Sequence, residues 1–116
     1  MKRILTKWIY EQASDQDGYR MLIDKVWPRG VKKEDAKLDE WNKDIAPSTD
    51  LRKWFSHKAE RFDEFARKYR QELVKKEETV QHITDIAEKH QVTLLYGAKD
   101  EKHNHAVILQ EYLKNK

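Results

Sequence analysis

The sequence predicts a small single-domain α/β fold over residues 1–116, with a sheet that is at least partly parallel and flanked by helices. Three observations predict it. Met21-Leu22-Ile23 is apolar at consecutive positions, as in a strand covered on both faces. Val92-Thr93-Leu94-Leu95-Tyr96 is a second such run, stopped by Gly97 and followed by a helical stretch. Between them, apolar residues recur at helical spacing, and strand–helices–strand order calls for a parallel crossover. A chain of 116 residues is too short for two independent cores. Residues 21–23 and 94–95 are therefore expected as buried strands of one sheet.

In chain order, residues 4–9 read as the first strand, and 11–18 as a connection with turn residues Ser14, Asp15, Asp17 and Gly18. The second strand is expected over 19–26, ending where Pro28 cannot donate to a ladder and holds Trp27 extended. Residues 31–46 are expected to be largely irregular, with a short helix at 32–36. Leu38, Trp41 and Ile45 there lie on one side of a further segment. Pro47-Ser48-Thr49-Asp50 signals a helix start, because a hydroxyl or carboxylate can accept from the open first-turn amides. That helix runs through Leu51 and Phe55. Phe62, Phe65, Ala66, Tyr69 and Leu73 mark a longer amphipathic helix from about residue 60. Val80, Ile83 and Ala87 mark a third, ending near His90. The last helix is expected over 104–114, with Ala106, Leu109 and Leu113 on one side.

Charged residues make up 39% of the chain, a proportion that also fits disorder, but four Trp, five Tyr and three Phe supply a core. The net charge of +3 comes from interleaved signs, which signals a solvated surface more than a nucleic-acid face. The absence of Cys excludes disulfides, thiolate metal sites and a cysteine nucleophile. Residues 1–10 lack the core of a signal peptide, and no run approaches the roughly 20 apolar residues that span a bilayer. The expected location is the cytoplasm, with no membrane partner and no cofactor. Nothing in the sequence defines an oligomeric state.

Three segments concentrate unusual residues. In Asp24-Lys25-Val26-Trp27-Pro28-Arg29-Gly30, Arg29 lies just past a strand end, where its planar fork meets either a phosphate or carboxylate ligand or a pinning carboxylate such as Asp24. In the segment from Pro47 to His57, Arg52 and His57 are candidates to face a pocket, whereas Trp54 and Phe55 read as core. Asp50 argues against an anion at that helix start, since a capping carboxylate would occupy it. In Tyr96-Gly97-Ala98-Lys99-Asp100-Glu101-Lys102-His103-Asn104-His105, glycine, polar turn and helix start make a plausible anion-binding turn. It is neither a Walker loop nor a dinucleotide loop. His103 and His105 lie two residues apart and do not share a helical face, so no metal site is assigned. No Gly-x-Ser-x-Gly elbow supports a hydrolase.

These segments also carry a resemblance. Asp17-Gly18-Tyr19-Arg20, residues 24–30, Asp44-Ile45-Ala46-Pro47-Ser48, Leu51-Arg52-Lys53-Trp54-Phe55 and residues 94–109 together resemble the YeaO-like branch of the bacterial domain-of-unknown-function family 488. The resemblance implies a small α/β fold and no established activity. The broader family carries Leu-Leu-Cys before the last loop and Cys-His-Arg at the helix start. The corresponding positions here are Tyr96, Asn104, His105 and Ala106, so only His105 persists, and a thiol or arginine role does not carry over. No helix-turn-helix pattern supports a transcription regulator.

The leading expectation is a pocket in which Arg29, Arg52, Lys99 and His103 bind a small anionic ligand, a phosphorylated one among the candidates, with His105 at its edge. Whether the ligand is turned over is left open. If it is, His105 is the acid–base group, because its ordinary pKa lies near neutrality, with Asp24 or Asp100 orienting it. The competing expectation is a nucleic-acid- or protein-binding module that uses exposed Trp27 and Trp41 among Lys and Arg. Buried indoles beside a concave basic pocket favour the first reading, and exposed indoles on a positive face favour the second.

Overall fold

β1 (Ile4–Trp8), β2 (Tyr19–Leu22), β3 (Glu40–Trp41) and β4 (Val92–Tyr96) pair in the order β1-β4-β2-β3, and every pairing is parallel. The computed structural model describes residues 3–116. Met1 and Lys2, the first residues of the expected domain and of the segment read for a signal peptide, lie outside the described residues. Met21 stands opposite Leu94 and Leu22 opposite Leu95, so the two apolar runs are the central strands. Every residue of β4 is buried, as a strand flanked on both edges and covered on both faces must be.

Side-chain alternation divides the core in two. Ile4, Met21, Ile23, Val92, Leu94 and Tyr96 point to one face. There they pack against α2 (Thr49–Phe55), α3 (Phe62–Val74), α4 (Glu77–Lys89) and α5 (His105–Lys114). Leu22 and Leu95 point to the other face, where Ile9, Ala36 and partly buried Trp27, Val31, Leu38 and Trp41 cover them. α1 (Lys33–Ala36) brings Ala36 into that thinner layer. Tyr69 is fully buried, and its hydroxyl donates to the Ile45 carbonyl at 2.7 Å, so the core's largest polar tip is satisfied.

Two expectations need correction. The second strand ends at Leu22 rather than at residue 26, well before Pro28. The Ile23 amide still bonds to the Leu95 carbonyl at 3.1 Å, but the next ladder position is taken over by a side chain, since the Gly97 amide donates to Asp24 instead. The stretch at 31–46 holds β3 as well as the one-turn helix. Two residues are too few to show a period of two, so no pattern in the sequence marks that strand.

The helix starts follow local chemistry. Ser48, not Asp50, caps α2: its hydroxyl oxygen accepts from the Leu51 amide at 3.2 Å. The same hydroxyl donates to Glu72 at 2.6 Å, and this bond ties the cap to α3. Asn104 caps α5 by accepting from the Val107 amide at 3.1 Å. Among the described residues no helix is long and apolar enough to cross a membrane.

Gly18 and Gly30 both have positive φ, +69° and +82°, but only Gly18 is crowded: a Cβ there would lie 2.4 Å from the Gln91 carbonyl oxygen, whereas one on Gly30 meets nothing within 4 Å. Gly18→Ala is therefore expected to cost about 2 kcal/mol or more and Gly30→Ala only about 1 kcal/mol. Urea unfolding of the two variants checks this order, and equal losses would contradict the crowding at Gly18.

Candidate functional site

With all strands parallel, their carboxyl ends lie along one edge, and a cleft of about 930 Å³ opens there. Tyr10 enters it from beyond β1, Asp24, Lys25 and Arg29 from beyond β2, and Gly97, Lys99 and Asp100 from beyond β4. Arg52 and Lys53 come from α2, His57 from the turn after it, His103 from the turn before α5 and His105 from its first residue. Ligands of open α/β sheets gather at this edge, beyond the strands.

Asp24 is the floor of the cleft. One carboxylate oxygen accepts from the Gly97 amide at 2.9 Å, and the other lies 3.4 Å from His105 Nε2. A Cβ on residue 97 would come within 2.8 Å of that carboxylate, so only glycine lets the β4 backbone approach. His105 Nε2 also lies 2.9 Å from the Ile23 carbonyl, and a carbonyl only accepts, so this nitrogen carries the proton. The neutral ring's lone pair is then on Nδ1. Burial pushes Asp24 above the usual carboxylate range, against the pull of His105, the Gly97 amide, Arg52 and His57. Burial likewise pushes the His105 imidazole down, against the pull of Asp24 and the Ile23 carbonyl.

The sequence-predicted residues Arg29, Arg52, Lys99, His103, His105 and Asp24 all line this one cleft. His105 sits in its floor rather than at its edge, with a side chain only 13% exposed. Of the two carboxylates considered for orienting His105, Asp24 stands beside it. Asp100 serves His103 instead, with Nδ1 at 2.9 Å, and also accepts from the Lys102 and His103 amides. Those three bonds hold Asp100 below the usual carboxylate range. His103 also packs edge-on against Phe62, with ring centroids 5.1 Å apart.

Arg29 and Lys99 are exposed and, among the described residues, make no ion pair with a carboxylate. Arg29 is fixed instead through its backbone, whose carbonyl accepts from the Tyr10 hydroxyl at 2.8 Å. Arg52 Nε is buried and has no hydrogen-bond partner among the described residues. Among the described residues, no group of three or more His, Asp or Glu is placed to hold a metal ion.

Sequence reasoning missed Tyr10, Lys25 and Lys53 as cleft residues. Lys25 was hidden inside a strand expected to run too far, and Tyr10 was legible as the residue past the first strand's end. Lys53 follows Arg52 directly, and only the turn of α2 decides that both border the cleft.

Trp27 and Trp41 are half-buried on the opposite face of the sheet and pack edge to face, 5.2 Å between centroids. Their indole N–H groups donate to the Val31 and Asp24 carbonyls at 2.8 and 2.7 Å. Both indoles are thus committed to holding loops.

Fold and cleft together define a parallel α/β domain with a cationic, histidine-bearing cleft at its strand ends. The chain belongs to the family described as "Inactive DUF488-N3 subclade", whose model matches residues 3–116. This bears out the resemblance to the YeaO-like branch of family 488. The chain is 45% identical to the uncharacterized protein YeaO of Escherichia coli over 112 residues, 97% of each chain. It is 35% identical over 111 residues to uncharacterized proteins of Mycobacterium bovis and Mycobacterium tuberculosis, covering 96% of this chain and 93% of theirs. No solved structure matches it.

The pKa directions predict a pH dependence. His105 binds its proton less readily folded than unfolded, so below about pH 6.5 the unfolded chain takes up a proton that the folded one refuses, and stability falls. Asp24 acts oppositely: its penalty is present when it is ionised and is relieved as the pH drops through its raised folded value. Lowering the pH from 7.5 to 5.5 should therefore cost the native chain more stability, or gain it less, than it does the His105→Gln variant. Urea titrations at the two pH values read it, and parallel slopes would contradict a buried neutral His105.

Proposed function

We propose that the cleft binds a small anionic ligand, with Arg29, Arg52, Lys99 and His103 as its recognition groups. The observation that carries this reading is Arg52, whose Nε is buried at the cleft without a hydrogen-bond partner from the described residues. A guanidinium donor shut off from both solvent and a partner costs free energy, and a small turn of the Arg52 side chain toward an incoming carboxylate or phosphate oxygen supplies the partner. Arg29 and Lys99, exposed at the rim, add long-range attraction.

The description of the family as an inactive subclade supports binding without turnover. The local geometry agrees with that emphasis, because the His105 Nε2 proton is engaged by a main-chain carbonyl. Should the ligand be turned over, His105 remains the group for proton transfer, through Nδ1, with Asp24 fixing the ring. The alternative of a nucleic-acid- or protein-binding module loses its stacking groups, since the Trp27 and Trp41 indoles pack on each other and donate to the main chain.

Phosphate or sulfate should raise the melting temperature more than chloride at matched ionic strength. At ten times its Kd a bound anion adds about 1.4 kcal/mol of stability. Arg52→Ala should abolish the difference and Arg29→Ala should shrink it, a comparison that separates binding from the general salting effect of these ions. An anion effect unchanged in both variants would refute the cleft as the site.

A further inference from the structure

We infer that the ligand is a hydroxylated organic anion, bound with its anionic group toward Arg52 and a hydroxyl donating to Asp24 on the cleft floor. This rests on the anion-binding reading above and goes beyond it by assigning the second half of the ligand.

The first observation is an acceptor in an otherwise cationic site. Asp24 Oδ2 accepts from the Gly97 amide at 2.9 Å, but Oδ1 has only His105 Nε2 at 3.4 Å. The single proton on that nitrogen is already donated to the Ile23 carbonyl at 2.9 Å. One N–H does not fully serve two oxygens, so Oδ1 keeps acceptor capacity. The side chain is 19% exposed and lines the cleft, which makes it reachable from the cleft.

The second observation is charge. Five Lys and Arg (Lys25, Arg29, Arg52, Lys53 and Lys99) border the cleft against two Asp, Asp24 and Asp100, a formal excess of +3 with the histidines neutral. That excess attracts an anion and disfavours an ammonium group, so the donor that reaches Asp24 is a neutral hydroxyl. A bare inorganic anion gains from Arg52 but is repelled by Asp24, and places nothing against Oδ1.

The third observation is size. A cleft of about 930 Å³ is at the upper end of small-molecule sites. Its lining includes Tyr10 and Val26, both exposed, apolar surface that an inorganic anion leaves uncovered. An organic body carrying both groups fills this space.

Calorimetric titration with inorganic phosphate, propyl phosphate and glycerol 3-phosphate tests the assignment, because the two esters differ in their hydroxyls. Glycerol 3-phosphate should bind the native chain about ten-fold or more tighter than propyl phosphate, the gain expected of a hydrogen bond to a charged group. Asp24→Asn should cut that ratio below about three-fold while inorganic phosphate binds as well or better, its repulsion removed. Asp24→Ser, small enough for the same space and without a carboxylate, serves if the Asn variant fails to fold. Equal binding of the two esters, or a hydroxyl preference that survives loss of Asp24, overturns the inference and leaves anion binding standing. No binding of any of the three compounds overturns both.

Discussion

The contact between Asp24 and the Gly97 amide joins the ends of the two central strands, and the cleft is organised around it. Parallel strands end on the same edge, so β2 and β4 release their chains side by side. The carboxylate then takes the place of the next ladder acceptor, at 2.9 Å, and this lets the two chains diverge. Three further groups lock onto the same junction. His105 donates to Ile23, the Trp41 indole donates to the Asp24 carbonyl, and the Trp8 indole donates to the Gly97 carbonyl at 3.3 Å. Elements from β1, β3 and α5 are thereby held at the edge where the cationic side chains gather.

A second polar hub, near the start of β2, fixes the thin face of the sheet. Arg20 is almost fully buried, and its guanidinium donates to Asp17 at 2.6 Å and to the Ala36 carbonyl at 2.7 Å. Asp17 also accepts from Lys7 at 3.0 Å, and Thr93 donates to the Asp17 carbonyl at 2.6 Å. One buried charge pair thus ties β1, β2, β4 and the end of α1, with its lone pairs and donors largely satisfied. Asp17 and Arg20 belong to a stretch that carries the family resemblance, yet their work is structural. The stretches that carry the resemblance thus include architectural residues as well as the residues of the candidate cleft.

The two polar hubs differ in how completely they are satisfied. At Asp17 both carboxylate oxygens and all three Arg20 guanidinium nitrogens have partners within the chain, and against burial the Ser14 amide, Lys7 and Arg20 hold the carboxyl below its usual range. At Asp24 burial prevails and lifts the carboxyl, while the nearby Arg52 Nε has no hydrogen-bond partner among the described residues. A satisfied network rigidifies a fold, whereas an unsatisfied one carries a cost that a ligand removes. This contrast is the physical reason why ligand recognition is proposed for one hub and architecture for the other.

The amino-acid order by itself determined the fold class, the two central strands, the amphipathic helices and the candidacy of Arg29, Arg52, Lys99, His103, His105 and Asp24. All of these follow from local rules: apolar runs, helical spacing, caps and positions just past strand ends. Only the tertiary structure decided where β2 stops, that Glu40 and Trp41 form a strand, and that Asp24 rather than Asp100 stands beside His105. Each of those depends on a partner distant in sequence, such as Gly97 for Asp24 or Met21 for Glu40. Burial is non-local in the same way. The sequence makes Arg52 a candidate to face a pocket, but only packing of the strand ends around it removes its Nε from solvent with no hydrogen-bond partner among the described residues.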